Sequence, residues 1–98
     1  MNQNAQKFLA ELIGTFGLTL FGAGAILQHH ATQSVGTTGI AVAHGLAILI
    51  GIYAFGHISG GHFNPCVTFG MLVTRRISLG GTALYWTAQV IGSALAAW

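Results

Sequence analysis

Three long apolar runs follow one another along the chain. Residues 8–27 contain one charged residue, Glu11; residues 38–56 contain one histidine, His44, and no charged residue; and residues 79–98 contain no charged residue. About 20 helical residues cross a bilayer core that is about 30 Å thick, so each run is long enough, or nearly so, to span it. The pattern predicts an all-α membrane protein with transmembrane helices at residues 8–27, 38–56 and 79–98.

The composition supports this interpretation. Hydrophobic residues make up 53% of the chain and charged residues only 4%, whereas soluble domains are about 25% charged. A cleaved signal peptide is an alternative for the first run, because Lys7 precedes it and small residues lie at 22–25. We disfavour it because the run is longer than a signal sequence needs, contains an acid and is followed by further spans. The single Cys66 excludes an internal disulfide.

The few basic residues predict how the chain is oriented. Lys7 precedes the first run and Arg75–Arg76 precede the third, whereas the connection at residues 28–37 has neither lysine nor arginine. The positive-inside rule therefore predicts a multi-pass protein of the plasma or inner membrane with a cytoplasmic N-terminus. Residues 57–74 then begin and end on the cytoplasmic side, yet they are mostly apolar. We interpret them as a segment that re-enters the membrane.

Asn64 and Pro65 predict the start of a helix inside that segment. Asparagine is a preferred N-cap residue and proline is favoured at the first helical position. A helix from there to about Thr74 would be roughly 16 Å long, about half a bilayer. The start of that helix is then expected near the bilayer midplane, and the preceding residues 56–62 are expected to run inward to it without regular structure. Backbone of that kind is tolerated within the membrane only in contact with protein or with a water-filled cavity.

These residues resemble a known family. The stretch "HISGGHFNPCVTFG" resembles the first signature loop of the aquaporin or major intrinsic protein family, whose usual motif is Asn-Pro-Ala. "AELIGTFGLTLFGAGA" is similar to the first span of that family and "ALYWTAQVIGSALAAW" to the third, and the whole chain most resembles the N-terminal half of bacterial water channels. The resemblance implies an aquaporin-like right-handed helical bundle. Its three transmembrane helices and one re-entrant half-helix would form the first half of an inverted-repeat, hourglass-shaped channel.

The resemblance also implies roles for particular residues. Asn64 would donate hydrogen bonds to water at the channel centre, within an Asn-Pro-Ala-like motif in which Cys66 replaces the usual alanine. The motif residues are Asn64, Pro65 and Cys66, and the expected pore-lining carbonyls are those of Gly60, Gly61 and His62. A structural role in the loop is the alternative for His62.

Two further residues have expected roles. His44 lies twenty residues before Asn64, where the family's second span contributes to the selectivity filter. Many water channels have Phe there and glycerol channels have Trp, whereas His resembles plant vacuolar channels with wider filters; a histidine at the outer interface is the alternative. Glu11 matches a buried structural acid that accepts hydrogen bonds from the re-entrant loop, and the alternative is a side chain that reaches the membrane surface.

The resemblance implies a passive channel that conducts water and excludes protons, with ammonia and urea as further candidate solutes and with no cofactor or metal. A glycerol or small-solute facilitator is one alternative, and a non-conducting half-channel or membrane assembly component is another. A membrane metalloenzyme is disfavoured because His57 and His62 are five residues apart around two glycines and the chain has one carboxylate.

Assembly can be predicted only in outline. Three spans would leave the chain outside the cell, so a repeat of this unit would run inverted, and we expect these residues to be the first half of a channel roughly twice as long. The expected partners are that C-terminal half, the lipid bilayer, water and small neutral solutes, with no nucleic acid, and the resemblance implies a homotetramer. Small residues at four-residue spacing predict close helix contacts: Ala10 and Gly14; Ala43, Ala47 and Gly51; Ala88, Gly92 and Ala96.

Overall fold

The computed structural model describes all residues from Met1 to Trp98 and consists of four helices. These are α1 (Gln3–Thr32), α2 (Gly36–Ser59), α3 (Pro65–Val73) and α4 (Leu79–Ala97). α1 packs against both α2 and α4, and α3 packs against α4. α4 meets α2 only at the end of α2, where the Tyr85 hydroxyl donates a hydrogen bond to the Ser59 carbonyl. The long first helix is therefore the centre of the fold. The molecule is 43 Å long, which is close to the thickness of a bilayer with its headgroups.

Polar side chains define where the helices begin. The side-chain oxygen of Asn2 accepts a hydrogen bond from the Ala5 N–H at 2.7 Å, and the Ser78 hydroxyl accepts one from the Gly81 N–H at 2.9 Å. Both bonds satisfy an N–H group that has no partner within its own helix. At the other end of α2, Gly60 adopts a left-handed conformation with φ of 89°. Glycine adopts that conformation without steric cost, so the helix can end there.

Two connections differ from their predicted extents. The loop expected at residues 28–37 is mostly helical, because α1 continues to Thr32 and only residues 33–35 separate it from α2. His29 and His30 lie in the last turn of α1. Residues 56–59, expected to be irregular, complete the last turn of α2, so the irregular part is shorter and comprises residues 60–64, which we call the 60–64 segment.

The interior is polar and the exterior is apolar. Six of the fourteen buried residues are polar or charged, whereas Phe21, Ile50 and Tyr53 are more than half exposed. This distribution is the reverse of a soluble protein's and suits a surface that faces lipid or further protein. By length and composition, α1 and α2 could each cross a membrane. The third span predicted at residues 79–98 corresponds to α4, of 19 residues, and its passage through the membrane stays a prediction.

Candidate functional site

A buried carboxylate holds the 60–64 segment. Glu11 in α1 has no exposed surface. Its Oε2 accepts hydrogen bonds from the Ser59 hydroxyl at 2.7 Å and the His62 N–H at 3.1 Å. Its Oε1 accepts from the Phe63 N–H at 2.8 Å and from Nε2 of Gln89 at 2.7 Å. Charge-assisted bonds of this kind are stronger than neutral ones, and together they compensate for taking the carboxylate out of water.

Helix α4 adds a second set of contacts. Nε2 of Gln89 also donates to the Thr68 hydroxyl at 3.0 Å, and Nδ1 of His62 pairs with the same hydroxyl at 3.0 Å. The Tyr85 hydroxyl donates to the Ser59 carbonyl at 2.6 Å, and the Tyr85 ring lies 4.9 Å from that of His62. One face of α4 therefore binds the end of α2, the 60–64 segment and the start of α3 together.

These contacts set the depth of the segment within the bundle. Gln89 is ten residues after Leu79, the first residue of α4, which is about 15 Å along the helix axis. That is roughly the midpoint of the helix. The chain thus leaves α2 at one end of the bundle and reaches the middle of α4 before α3 begins. The indole N–H of Trp86 donates to the Pro65 carbonyl at 3.1 Å, so the start of α3 is held at the same level.

Phe63 lies between α1 and α2, a position that was not predicted from the sequence. Its ring is 2% exposed and rests on Gly14 of α1 and Gly51 of α2. A methyl group at Gly51 would lie 2.8 Å from the ring, and one at Gly14 would lie closer still. The two predicted ridges of small residues therefore accept an aromatic ring there instead of each other. The one feature of the sequence that could have indicated this contact is that Gly14 and Gly51 both lie on the predicted ridges of small residues.

The carbonyls of residues 60–62 have no partners in the chain. Those of Gly60, Gly61 and His62 accept no hydrogen bond, whereas the Ser59 carbonyl before them and the Asn64 carbonyl after Phe63 do. Gly60 and Gly61 have φ values of 89° and 69°, which lie in the left-handed region. That conformation is open to glycine without strain and gives the turn that leaves the carbonyls unpaired. A row of three unpaired acceptors results.

The Asn64 side chain has one bonded and one unbonded end. Its Oδ1 accepts from the Cys66 N–H at 2.8 Å and so caps α3, in which Pro65 occupies the first position. Its amide nitrogen makes no hydrogen bond within the chain and the residue is exposed, as are Pro65 and Cys66. The amide hydrogens are therefore available to a ligand.

His44 lies far from the 60–64 segment. It precedes Ser59 by fifteen residues, about 22 Å along α2. Its Nδ1 pairs with the Ile40 carbonyl at 2.8 Å, and its Nε2 rests against α1, where a methyl group at Gly22 would lie 2.5 Å away. A carbonyl only accepts hydrogen bonds, so Nδ1 is the donor in this pair.

The remaining histidines do not form a metal site. Nδ1 of His29 accepts the Gly36 N–H at 3.0 Å, where it supports the turn into α2. His57 is exposed in the last turn of α2. No group of three or more His, Cys, Asp or Glu side chains is placed to hold an ion.

Fold and site together define an all-helical membrane protein with a polar segment inside its bundle. The family model described as "Major intrinsic protein" matches residues 1–98. The chain belongs to the major intrinsic protein family.

Curated relatives come from bacteria and plants. The chain is 43% identical over 96 residues to "Aquaporin Z" of Rhodopseudomonas palustris, covering 96% of this chain and 40% of that protein. It is 44% identical over 91 residues to "Glycerol uptake facilitator protein-like 6" of Lactiplantibacillus plantarum, covering 93% of this chain and 40% of that protein. It is 40% identical over 93 residues to "Aquaporin NIP1-1" of Oryza sativa subsp. japonica, covering 94% of this chain and 33% of that protein. The chain thus spans between 33% and 40% of these relatives.

The family membership confirms the resemblance found in the sequence. It also removes one alternative. Aquaporins of this family are channels and not enzymes, so the metalloenzyme considered above is wrong.

Proposed function

We propose that the chain supplies one half of a passive water channel in the cell membrane, with its N-terminus in the cytoplasm. The observation that carries the proposal is the row of unpaired carbonyls at Gly60, Gly61 and His62, held at about the midpoint of α4. Unpaired backbone groups at membrane depth are tolerated only where they contact protein or water. A path for water along them satisfies that condition.

The proposed path presents three acceptors followed by one donor. A water molecule passing the segment would donate its hydrogens to the carbonyls of residues 60–62 and accept from the free amide of Asn64. α3 begins at the same place, so the positive end of its dipole is directed toward that water and disfavours cations and protons. The pore residues would therefore be Asn64, Pro65 and Cys66 together with Gly60, Gly61 and His62.

His44 is proposed as the selectivity filter. Its distance of about 22 Å from the end of α2 separates it from the 60–64 segment along the path. Its Nε2 lies on the α1 side of α2, against Gly22. A polar ring at a constriction favours water and permits ammonia or urea more readily than an apolar ring would.

The wider architecture is part of the same proposal. α4 would cross the membrane as the third span, and residues 60–73 would form the re-entrant loop and half-helix. A second, inverted half would complete the pore, with a homotetramer as the assembled state. The apolar exterior, with Phe21, Ile50 and Tyr53 exposed, supports burial against lipid and further helices.

A glycerol or small-solute facilitator is the second candidate. The observation that favours it is the 44% identity to a relative named as a glycerol uptake facilitator-like protein. His44 favours the water channel, because glycerol channels of the family have Trp at this position and the chain has His.

Flux measurements on the full-length protein test the proposal. Proteoliposomes would be exposed to a hyperosmotic step of an impermeant sugar, and then to one of glycerol, while light scattering is recorded. We expect water efflux several times faster than in protein-free vesicles, with glycerol entry much slower than water. Glycerol entry at a rate rivalling water would support the second candidate. Fluxes equal to those of protein-free vesicles would overturn both and leave a non-conducting assembly component.

A further inference from the structure

A cavity lies at the end of the bundle where α1 and α4 begin. It has a volume of about 790 Å³ and is bordered by the first two turns of both helices and by the end of α2. Gly60 and His62 of the proposed water path also line it, so the cavity adjoins the end of that path. Lys7 of α1 and Arg76, from the connection before α4, both line it. Two cationic side chains from distant parts of the sequence thus face one cavity.

Neither cation has a carboxylate partner in the chain. Glu11 is the one acidic residue of the sequence, and it is fully buried with all four of its hydrogen bonds made to other groups. No carboxylate of residues 1–98 therefore lines the cavity beside Lys7 and Arg76. Asn4 and Ser78 add neutral hydrogen-bonding groups to the same wall.

We propose that this cavity binds a phosphate-bearing anion, either the headgroup of an anionic phospholipid or free phosphate. The Arg76 guanidinium offers the forked pair of N–H donors that phosphate oxygens accept, and the Lys7 ammonium adds a second positive charge. The volume is within the range of small-molecule sites.

The level of the cavity favours a lipid as the source of that phosphate. Lys7 immediately precedes the apolar residues 8–27, so it lies where the hydrocarbon region gives way to headgroups. In the orientation proposed above, this is the cytoplasmic leaflet, which carries the anionic lipids, and basic pockets between helices on that side bind such headgroups. The proposal rests on that orientation for the choice of leaflet but not for the binding itself.

Arg75 provides a matched control. It is the neighbour of Arg76, has the same charge and is exposed, but it does not line the cavity. The change Arg75→Gln therefore removes the same charge from the same region of the surface without touching the proposed site. A general attraction of anions to a basic surface would be weakened equally by Arg75→Gln and Arg76→Gln.

The test is equilibrium binding of fluorescent phosphatidylglycerol to the full-length protein in a non-ionic detergent. We expect Lys7→Gln and Arg76→Gln each to weaken binding about fivefold, which corresponds to about 1 kcal/mol. Arg75→Gln should change it less than twofold, and phosphatidylcholine should bind weakly to every variant. Arg76→Lys, which retains the positive charge but not the paired N–H donors of the guanidinium, should give an intermediate affinity. Unchanged unfolding temperatures would exclude a folding defect.

Inorganic phosphate distinguishes the two sources. If free phosphate displaces the lipid from the wild type at millimolar concentration, and more weakly from Arg76→Gln, the site takes free phosphate as well. If phosphate does not compete while the variant pattern holds, the site takes the lipid headgroup. Either result supports the proposed site. Equal losses for Arg75→Gln and Arg76→Gln, or phosphatidylcholine binding as strong as phosphatidylglycerol binding, would overturn it.

Discussion

Glu11 has no cation beside it, and hydrogen-bond donors alone compensate its charge. Two of the four donors are consecutive backbone N–H groups, those of His62 and Phe63. A carboxylate can satisfy all four because it is purely an acceptor. The residue therefore fixes the backbone of the 60–64 segment, which would otherwise have N–H groups buried without partners.

Replacing Glu11 by Gln tests this role, because an amide has one acceptor and one donor end. If the new NH₂ group faces the Phe63 side, the Gln89 amide can rotate to accept from it, but the Phe63 N–H loses its acceptor. If the NH₂ group instead replaces Oε2, the Ser59 hydroxyl can rotate to accept from it, but the His62 N–H loses its acceptor. Either way one backbone N–H is orphaned, and we expect Glu11→Gln to lower the free energy of unfolding by about 1–3 kcal/mol.

The measurement is reversible unfolding in mixed detergent micelles. Gln28→Glu is the control, since it exchanges the same two side-chain types at an exposed position near the end of α1. It should change the unfolding free energy by less than about 0.5 kcal/mol. Equal stability of Glu11→Gln and the wild type would contradict the proposed role of the carboxylate.

The sequence predicted some of these residues and not others. Asn64 and Pro65 were recognisable because N-cap and first-turn preferences are local, and the helix begins there as expected. The burial of Phe63 could not be predicted, because it depends on a gap between α1 and α2 that their apolar patterns do not encode. The polar contacts of Ser59, Thr68 and Tyr85 with the segment are tertiary in the same sense.

At the scale of elements, contact between α1 and α2 depends on what lies between them. Apolar runs predicted where both helices lie, but not that α1 continues to Thr32 or α2 to Ser59, because the polar ends of helices carry weak periodic signals. The small residues predicted close helix contacts, and Gly92 of α4 does meet the backbone of α1 at Leu12. Between α1 and α2, in contrast, the Phe63 ring lies on Gly14 and Gly51. This ring connects the packing of the helices to the position of the 60–64 segment.

Gly14→Ala and Gly17→Ala form a matched pair on α1. A methyl group at Gly14 would overlap the Phe63 ring, whereas one at Gly17 would meet nothing within 4 Å. We expect Gly14→Ala to reduce the free energy of unfolding by about 1–3 kcal/mol, because overpacking forces the ring to move. Gly17→Ala should be neutral or slightly stabilising, since alanine favours the helix.

Thermal unfolding in detergent measures this difference. Because Phe63 adjoins Asn64, Gly14→Ala should also slow water flux in proteoliposomes, and Gly17→Ala should not. Identical behaviour of the two variants in both measurements would mean that the ring does not position the segment.

The whole molecule is a polar interior within an apolar shell. Its buried polar residues converge on one segment, and its large apolar side chains cover the outside. Composition alone predicted a membrane protein, and the motif at residues 57–70 predicted the family. The pairing of each polar group required the structure, since Gln89 and Glu11 are separated by most of the chain yet lie 2.7 Å apart.

The measurement that tests the water path most directly is the osmotic permeability of Asn64→Asp in the full-length protein. Aspartate retains an oxygen that can accept from the Cys66 N–H and cap α3, so the protein should fold normally. It lacks the amide hydrogens and adds a negative charge at the proposed centre of the path. Asn2→Asp is the control, because Asn2 caps α1 in the same way at an exposed site.

We predict that Asn64→Asp lowers water permeability about tenfold, the factor that corresponds to about 1.4 kcal/mol for one lost hydrogen bond. Asn2→Asp should conduct water like the wild type, and all three proteins should unfold at similar temperatures. If Asn64→Asp is folded and conducts water as fast as the wild type, the Asn64 amide does not contact the permeating water, and the proposed path along the 60–64 segment is wrong.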